Sequence, residues 1–292
     1  MNNMFIVNPN AGTRQAKQYL PDILELFCQN GDINHVYITS GRGDASKFIS
    51  DHGTSADRII CIGGDGTLSE VISGIKYNNL DLPVGYIPAG TANDFANSLD
   101  ISKNMREAAE NIISGKINYI DAGRFNNSYF CYVASFGAFT QVSYNTPQSS
   151  KNMLGHLAYI IEGIKELPNI RPEYIKIETA KRKIEGEYIF GAVLNSKSVG
   201  GVLAINSDLA DMSDGLFEIM LIKPLNNPVA IWDCAYSLMS QNYNPEYITF
   251  FKTDKLRVTA DSNLNWSLDG EREPGAANIN IENIRGAIKI IK

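Results

Sequence analysis

Before Asp121 the chain alternates short apolar runs with longer amphipathic stretches. Met4–Val7, Val36–Thr39, Arg58–Ile62 and Val84–Ile87 are short, rich in β-branched residues, and end in Gly, Pro, Asn or Ser, as strands do. Between them, Leu20, Ile23, Leu24 and Phe27 follow the i, i+3, i+4, i+7 spacing of a helix face, and so do Leu68, Val71, Ile72 and Ile75. Pro21 falls inside the first pattern and predicts a kink there or the start of a second helix. Strand–helix alternation of this kind means right-handed βαβ units and a doubly wound, mainly parallel sheet.

The pattern changes after Asp121. Ala122–Phe125 and Ser128–Ser135 flank Asn126-Asn127, a hairpin turn. One helix is predicted around Leu154–Leu167, with Lys151, His156 and Lys165 about it as solvated charges and Leu154, Leu157, Ile160, Ile161 and Ile164 as its core face. Tyr174–Thr179 and Ile184–Leu194 follow, joined by Ala180-Lys181-Arg182-Lys183, then Leu216–Ile222, Ile248–Phe251, Lys255–Val258 and Asn278–Ile281. Short strands with close turns predict an antiparallel sandwich or barrel, interrupted by a helix over Pro228–Met239. The expected organisation is α/β plus all-β: a nucleotide-binding α/β domain over 1–122 and a β-rich domain over 123–282. A last strand, within 283–292, is free to return to the first domain.

Composition narrows the chemistry. A net charge of −6 argues against broad nucleic-acid binding, which needs excess Lys and Arg, and against a polybasic membrane anchor. The four cysteines form no C-x-x-C pair and the three histidines do not cluster near them, so the expectation is reduced cytosolic thiols and no zinc site. The N-terminus lacks a basic leader and no stretch approaches the ~18 apolar residues that span a bilayer.

Three polar, glycine-containing turns follow strands of the first domain: Asn8-Pro9-Asn10-Ala11-Gly12, Gly63-Gly64-Asp65-Gly66-Thr67, and Pro88-Ala89-Gly90-Thr91-Ala92-Asn93-Asp94. In an open parallel sheet the carboxyl ends of strands share one edge, where ligands bind. Glycines let backbone N–H groups approach a phosphate, and Gly66-Thr67 opens a helix whose N-terminus favours an anion. Asp65 would repel that phosphate unless a cation intervenes, so a Mg²⁺-nucleotide fits better than a simple anion. Against this stands plain turn chemistry, with Thr67 and Asn93 as ordinary helix caps. Neither a Walker loop nor a G-x-G-x-x-G is present.

The segments Asn8–Gly12, Gly63–Thr67, Gly90-Thr-Ala-Asn-Asp-Phe-Ala96 and Leu268-Asp-Gly-Glu271 resemble, in order and spacing, the soluble bacterial diacylglycerol kinase-like lipid kinases, with sphingosine kinases as relatives. The GGDG turn alone also occurs in NAD kinases and phosphofructokinases; GTANDFA with a C-terminal DGE points to lipid kinases. The resemblance implies ATP in a cleft between the two domains, contacted by Asn8, Pro9, Asn10, Ala11, Gly12, Thr39, Gly64, Asp65, Gly66, Thr67, Leu68, Ser69, Glu70 and Thr91. It implies that Asp65 organises a catalytic Mg²⁺, that Asp94 and Asp121 support it, and that Glu271 is the general base. It also implies a structural Mg²⁺ on Asp211, Asp214 and the Leu216 carbonyl, where the residues alone would be read as a polar turn. The implied reaction is phosphorylation of a lipid alcohol, diacylglycerol to phosphatidic acid foremost, by a cytoplasmic protein visiting the inner face of the membrane. A homodimer fits the family. A NAD kinase, or a nucleotide-binding regulator without turnover, are the alternatives. Thr13 stands where relatives often carry Lys, with Arg14 and Lys17 slightly later.

Overall fold

The computed structural model describes residues 1–137, 171–199, 203–204 and 210–292; the helix predicted over Leu154–Leu167, with Lys151, His156 and Lys165, lies outside them. The chain forms two compact units, Met1–Ala122 with Arg285–Lys292, and Gly123–Ile284.

In the first unit, β1 (Asn2–Val7), β2 (Ile33–Ile38), β3 (Arg58–Gly63) and β4 (Val84–Pro88) are parallel in the order β2-β1-β3-β4. Helices α1 (Ala16–Gln29), α2 (Asp44–His52), α3 (Asp65–Tyr77), α4 (Asp94–Ser98) and α5 (Met105–Ser114) connect and follow them, and a 3₁₀ turn (Gly53–Ser55) closes α2. The apolar stripes of α1 and α5 bury Ile23, Phe27, Ala108 and Ile112 with Phe5, Val7, Ile60 and Ile62 of the sheet. Alternation sends Met4, Ile6, Ile59 and Cys61 to the opposite face of the strands. α2 and α3 pack together closely enough that a Cβ on Gly74 would press on the Ser46 backbone and Ile49. Pro21 lies on the exposed side of one continuous α1, so the predicted second helix does not form. Arg58 opens β3 although it is buried, because its guanidinium binds Asp32 (2.8 Å), Asn3 (2.7 Å) and the Ile112 carbonyl (3.2 Å).

The strand β5 (Ile117–Phe125) leads out of this unit. The second unit contains β6 (Ser128–Phe130), β7 (Val133–Gly137), β8 (Glu173–Glu178), β9 (Lys183–Tyr188), β10 (Phe190–Leu194), a short pair β11 (Ser198–Val199) and β12 (Leu203–Ala204), and β13 (Phe217–Ile222). Then come α6 (Pro228–Ser240), β14 (Ile248–Thr253), β15 (Lys255–Thr259), β16 (Trp266–Leu268), β17 (Glu271–Glu273) and the start of β18 (Asn278–Ile291). One sheet runs β14-β13-β10-β7-β16-β17; opposite it, β18, β15, β8 and β9 pair antiparallel in that order. Both bury side chains in one core, including Phe136, Phe217, Ile219 and Trp266 from the first and Ile175, Ile177, Val258 and Ile279 from the second. That is a β-sandwich.

Four predicted strands are corrected. Ser128–Ser135 is two strands, broken at Cys131-Tyr132. The run Ile184–Leu194 changes sheets at Ile189, whose N–H reaches the Ile222 carbonyl (2.9 Å): β9 pairs with β8, and β10 with β7 and β13. The two C-terminal strands are one, β18, whose final residues Ile290 and Ile291 pair in parallel with Val84 and Gly85 of the first unit. The helices α2, α4 and α5 and the hairpin β16–β17 have no predicted counterpart.

Candidate active site

Sheet order places the first two turns. The chain leaves β1 toward β2 on one side and reaches β3 on the other, so a crevice opens beyond the carboxyl ends of β1 and β3. Asn8–Gly12 and Gly63–Thr67 flank it. The Asn8 N–H donates to the Ile62 carbonyl (2.8 Å), and its side-chain amide donates to Thr67 Oγ1 (3.0 Å). The Asn10 N–H turns back onto Asn8 Oδ1 (3.0 Å). Thr39 follows β2 beside them, its N–H on the Val7 carbonyl (2.9 Å).

The third turn closes on the other two through backbone. Gly12 has φ +50°, and a Cβ there would collide with the Ala89 carbonyl oxygen. A Cβ on Gly90 would lie 2.7 Å from Gly64 Cα. Glycine is required at these positions because three main chains touch. Gly66 differs: a Cβ there would meet nothing within 4 Å. The protein's own packing does not ask for glycine at 66.

The helix opens at Asp65, one residue earlier than predicted, with Gly64 before it in extended conformation. Asp65 is in the first turn, where a carboxylate favours the helix dipole. Its two oxygens accept the backbone N–H groups of Asp94 (3.0 Å) and Phe95 (3.2 Å), capping α4 from another segment. Thr67 is not a cap; its hydroxyl serves Asn8. Asn93 precedes α4 in left-handed conformation (φ 53°) and makes no cap bond; it clamps Gly90 instead, accepting its N–H (2.9 Å) and donating to its carbonyl (3.0 Å). Tyr86 donates to the same Asn93 oxygen (3.4 Å). Burial, then Asp65, Cys61 and Asp94, push the Tyr86 phenol well above its ordinary pKa, so it stays a donor.

The remaining expected residues fall as follows. Leu68 and Ser69 are buried in α3, and Thr91 is exposed in the third turn. The Glu70 carboxylate accepts the N–H groups of Gly43 (2.9 Å) and Ala45 (3.3 Å), holding the start of α2. Asp44 accepts the Ser40 amide and hydroxyl (both 2.7 Å) and the Gly41 N–H (2.9 Å), bonds that hold its carboxyl below the usual range. Residues 40–43 are thus a fourth ordered turn after β2, beyond the three expected, and Ser40-Gly41-Arg42-Gly43 is its signal in the sequence. Asp94 is buried at the start of α4. Asp121 is buried on β5, where it accepts the N–H of Gly286 (2.8 Å), itself at φ 61° in β18. Arg14 is exposed at φ 62°.

In the second unit, Leu268 pairs with Glu271 across a two-residue turn, Asp269 (φ 51°) and Gly270 (φ 88°). Positive φ at both positions is the turn that matches strand twist, and Asp-Gly is its usual sequence. Asp269 is buried, and its carboxylate accepts three backbone N–H groups, from Cys131 (2.6 Å), Tyr132 (3.0 Å) and Val133 (3.1 Å). The hairpin that carries half-buried Glu271 is thereby fixed to β7.

The loop before β13 carries the expected metal ligands. Asp211 accepts the amide (2.9 Å) and hydroxyl (2.7 Å) of Ser213, which lower its pKa. Asp214 accepts the Leu216 N–H (2.9 Å) and the Lys252 ammonium (3.0 Å). Among the described residues no group of three or more His, Cys, Asp or Glu side chains is arranged to hold a metal. Carboxylate and carbonyl oxygens are the hard donors magnesium takes, but here Asp211 Oδ1 and both Asp214 oxygens are engaged by Ser213, the Leu216 N–H and Lys252. Just inside, Glu218 is 1% exposed and its Oε1 has no aligned hydrogen-bond donor.

Comparison with known proteins assigns the class. The diacylglycerol kinase catalytic domain matches residues 2–125, and the YegS C-terminal NAD kinase beta sandwich-like domain matches residues 133–292. The diacylglycerol kinase of Bacillus subtilis (strain 168) is 33% identical over 268 residues, covering 91% of this chain and 88% of that protein. That of Staphylococcus aureus (strain MRSA252) is 32% identical over 269 residues, covering 91% and 84%. The fold agrees: the crystal structure of a diacylglycerol kinase from Bacillus anthracis str. Sterne superposes with a TM-score of 0.74 at 21% identity, covering 99% of this chain and 96% of that one. The chain belongs to the diacylglycerol kinase family of lipid kinases, as its motifs led us to expect. Kinase activity, with a nucleotide as donor, is what membership implies.

Proposed function

We propose that the protein transfers the γ-phosphoryl of ATP to the hydroxyl of a membrane lipid, most plainly diacylglycerol, giving phosphatidic acid. The observation that carries this reading is the meeting of three turns through Gly12, Gly64 and Gly90, beside a Gly66 whose missing side chain leaves open space. Asn8–Gly12, Thr39, Gly64–Ser69 and Thr91 line the nucleotide, its phosphates lying at the N-terminus of α3. Glu70 acts on Thr39's side by holding the 40–43 turn. Asp65, steadied by two α4 amides, keeps lone pairs for a hydrated Mg²⁺, which when bound offsets phosphate charge. Asp94 and Asp121 support that centre. Glu271 takes the proton of the lipid hydroxyl as it attacks phosphorus, and the bond to the β–γ bridging oxygen breaks; positioning and electrostatics supply most of the acceleration. Asp211, Asp214 and the Leu216 carbonyl hold a second, structural ion. Among the described residues no helix is long and apolar enough to cross a membrane; the acceptor is met at the bilayer surface.

The glycine at 66 supplies the test. Alanine is favoured over glycine in a helix by about 1 kcal/mol, and the new methyl meets no protein atom within 4 Å. Gly66→Ala is therefore expected to melt no lower than the parent yet to bind ATP at least about tenfold more weakly by calorimetry. Unchanged ATP affinity in a well-folded variant would place the nucleotide elsewhere.

A further inference from the structure

We propose that Tyr86 is a positioning residue for nucleotide binding: its hydroxyl holds the Asn93 side chain and, through it, keeps Gly90 seated against Gly12 and Gly64. This rests on reading the three turns as the nucleotide site. Gly90 is where those turns meet. A Cβ on Gly12 would come within 2.9 Å of the Gly90 carbonyl carbon, and a Cβ on Gly90 would lie 2.7 Å from Gly64 Cα. Asn93 secures Gly90 with two bonds, accepting its N–H (2.9 Å) and donating to its carbonyl (3.0 Å). It does so from a left-handed backbone (φ 53°), which asparagine tolerates better than most residues. From β4, the Tyr86 hydroxyl donates to the same Asn93 Oδ1 (3.4 Å).

The hydroxyl is the part of Tyr86 that core packing does not explain. β4 is buried along its whole length, and Tyr86 is 1% exposed. Its ring meets Phe95 edge-on (centroids 6.0 Å apart, 79° between planes), a contact phenylalanine would make equally well. A hydroxyl buried there costs free energy unless it is bonded, and the bond it makes is to Asn93. Hydroxyl and ring thus grip the two ends of Asn93–Phe95. That segment clamps Gly90 through Asn93, and its next two N–H groups, of Asp94 and Phe95, hold the Asp65 carboxylate. One side chain of β4 therefore ties the third turn to Asp65. At 3.4 Å the bond is long for a hydroxyl donor, so its loss is expected to have a few-fold effect.

The test is a double-mutant cycle on the full chain, read as Mg²⁺-ATP affinity by calorimetry with the unfolding midpoint beside it. Tyr86→Phe should weaken ATP binding about three- to fivefold, the size of one weak hydrogen bond. In an Asn93→Gly background glycine accepts the left-handed backbone and the clamp is gone, so the same substitution should change affinity less than about twofold. Unchanged affinity in Tyr86→Phe beside a loss in Asn93→Gly would overturn the proposal while leaving the nucleotide reading standing. So would an equal loss from Tyr86→Phe in both backgrounds, which would take Asn93 out of its path. Should Asn93→Gly not fold, hydrogen exchange of the Gly90 amide is compared in nucleotide-free parent and Tyr86→Phe. It should quicken about three- to fivefold, and equal rates would overturn the proposal. Unchanged ATP affinity in Tyr86→Phe, Asn93→Gly and Gly66→Ala alike would overturn the nucleotide reading and this proposal with it.

Discussion

Glu271→Gln is expected to lower kcat by about two to four orders of magnitude while ATP affinity stays as it was, the range over which a positioned general base acts. Glutamine keeps the length and polarity of the side chain but cannot take the acceptor's proton. The hairpin that carries it is anchored elsewhere, by the Asp-Gly turn and by pairing with β7 through β16, so the substitution should leave the fold unchanged. Stopped-flow or quenched assays at saturating lipid, beside ATP calorimetry on the same preparation, separate the two effects. A fall of less than about tenfold in kcat would remove Glu271 from the base's role.

The second large effect concerns stability. Asp269 holds three buried N–H groups with one carboxylate, so Asp269→Ala strands Cys131, Tyr132 and Val133 together. Each unsatisfied buried donor costs about 1–3 kcal/mol, and alanine at φ 51° adds backbone strain. A loss of about 3–5 kcal/mol in denaturant unfolding is expected, large among single substitutions. Asp269→Asn, which keeps one acceptor oxygen, should lose less. A loss below about 1 kcal/mol would mean that water or neighbouring carbonyls take over the three amides. The consequence reaches function, since β16–β17 would be held to β7 by its strand pairing alone and Glu271 would be less firmly placed.

Both predictions turn on residues that the sequence disclosed unequally. Glu271 was visible as part of a motif, and Asp-Gly before it was a hairpin signal left unused. Asp269's partners lie at Cys131–Val133, far along the chain, and no local pattern couples the two. Periodicity located α1, α3 and the parallel strands because each buries one regular stripe or run. It failed at Ile189, where the chain passes from one layer of the sandwich to the other. Apolar residues continue on both sides, so no break in pattern marks the crossing. At Pro21 no second helix starts: the burial of Ile23 and Phe27 against the sheet carries one helix through it. Within the site, the glycines announced close backbone approach, whereas only coordinates tell Gly12, Gly64 and Gly90, which touch main chain, from Gly66, which faces open space. The charge on Asp65 was read as needing a cation; the two amides of α4 are a second answer, invisible without the fold.

The most direct test of the whole account is transfer of label from γ-³²P-ATP in mixed micelles, offered diacylglycerol, other lipid alcohols, NAD or no acceptor. The account predicts label in the organic phase with diacylglycerol or a related lipid alcohol, dependent on Mg²⁺ and lost in Glu271→Gln. Label carried by NAD alone, or ATP bound without transfer to any acceptor, would contradict it.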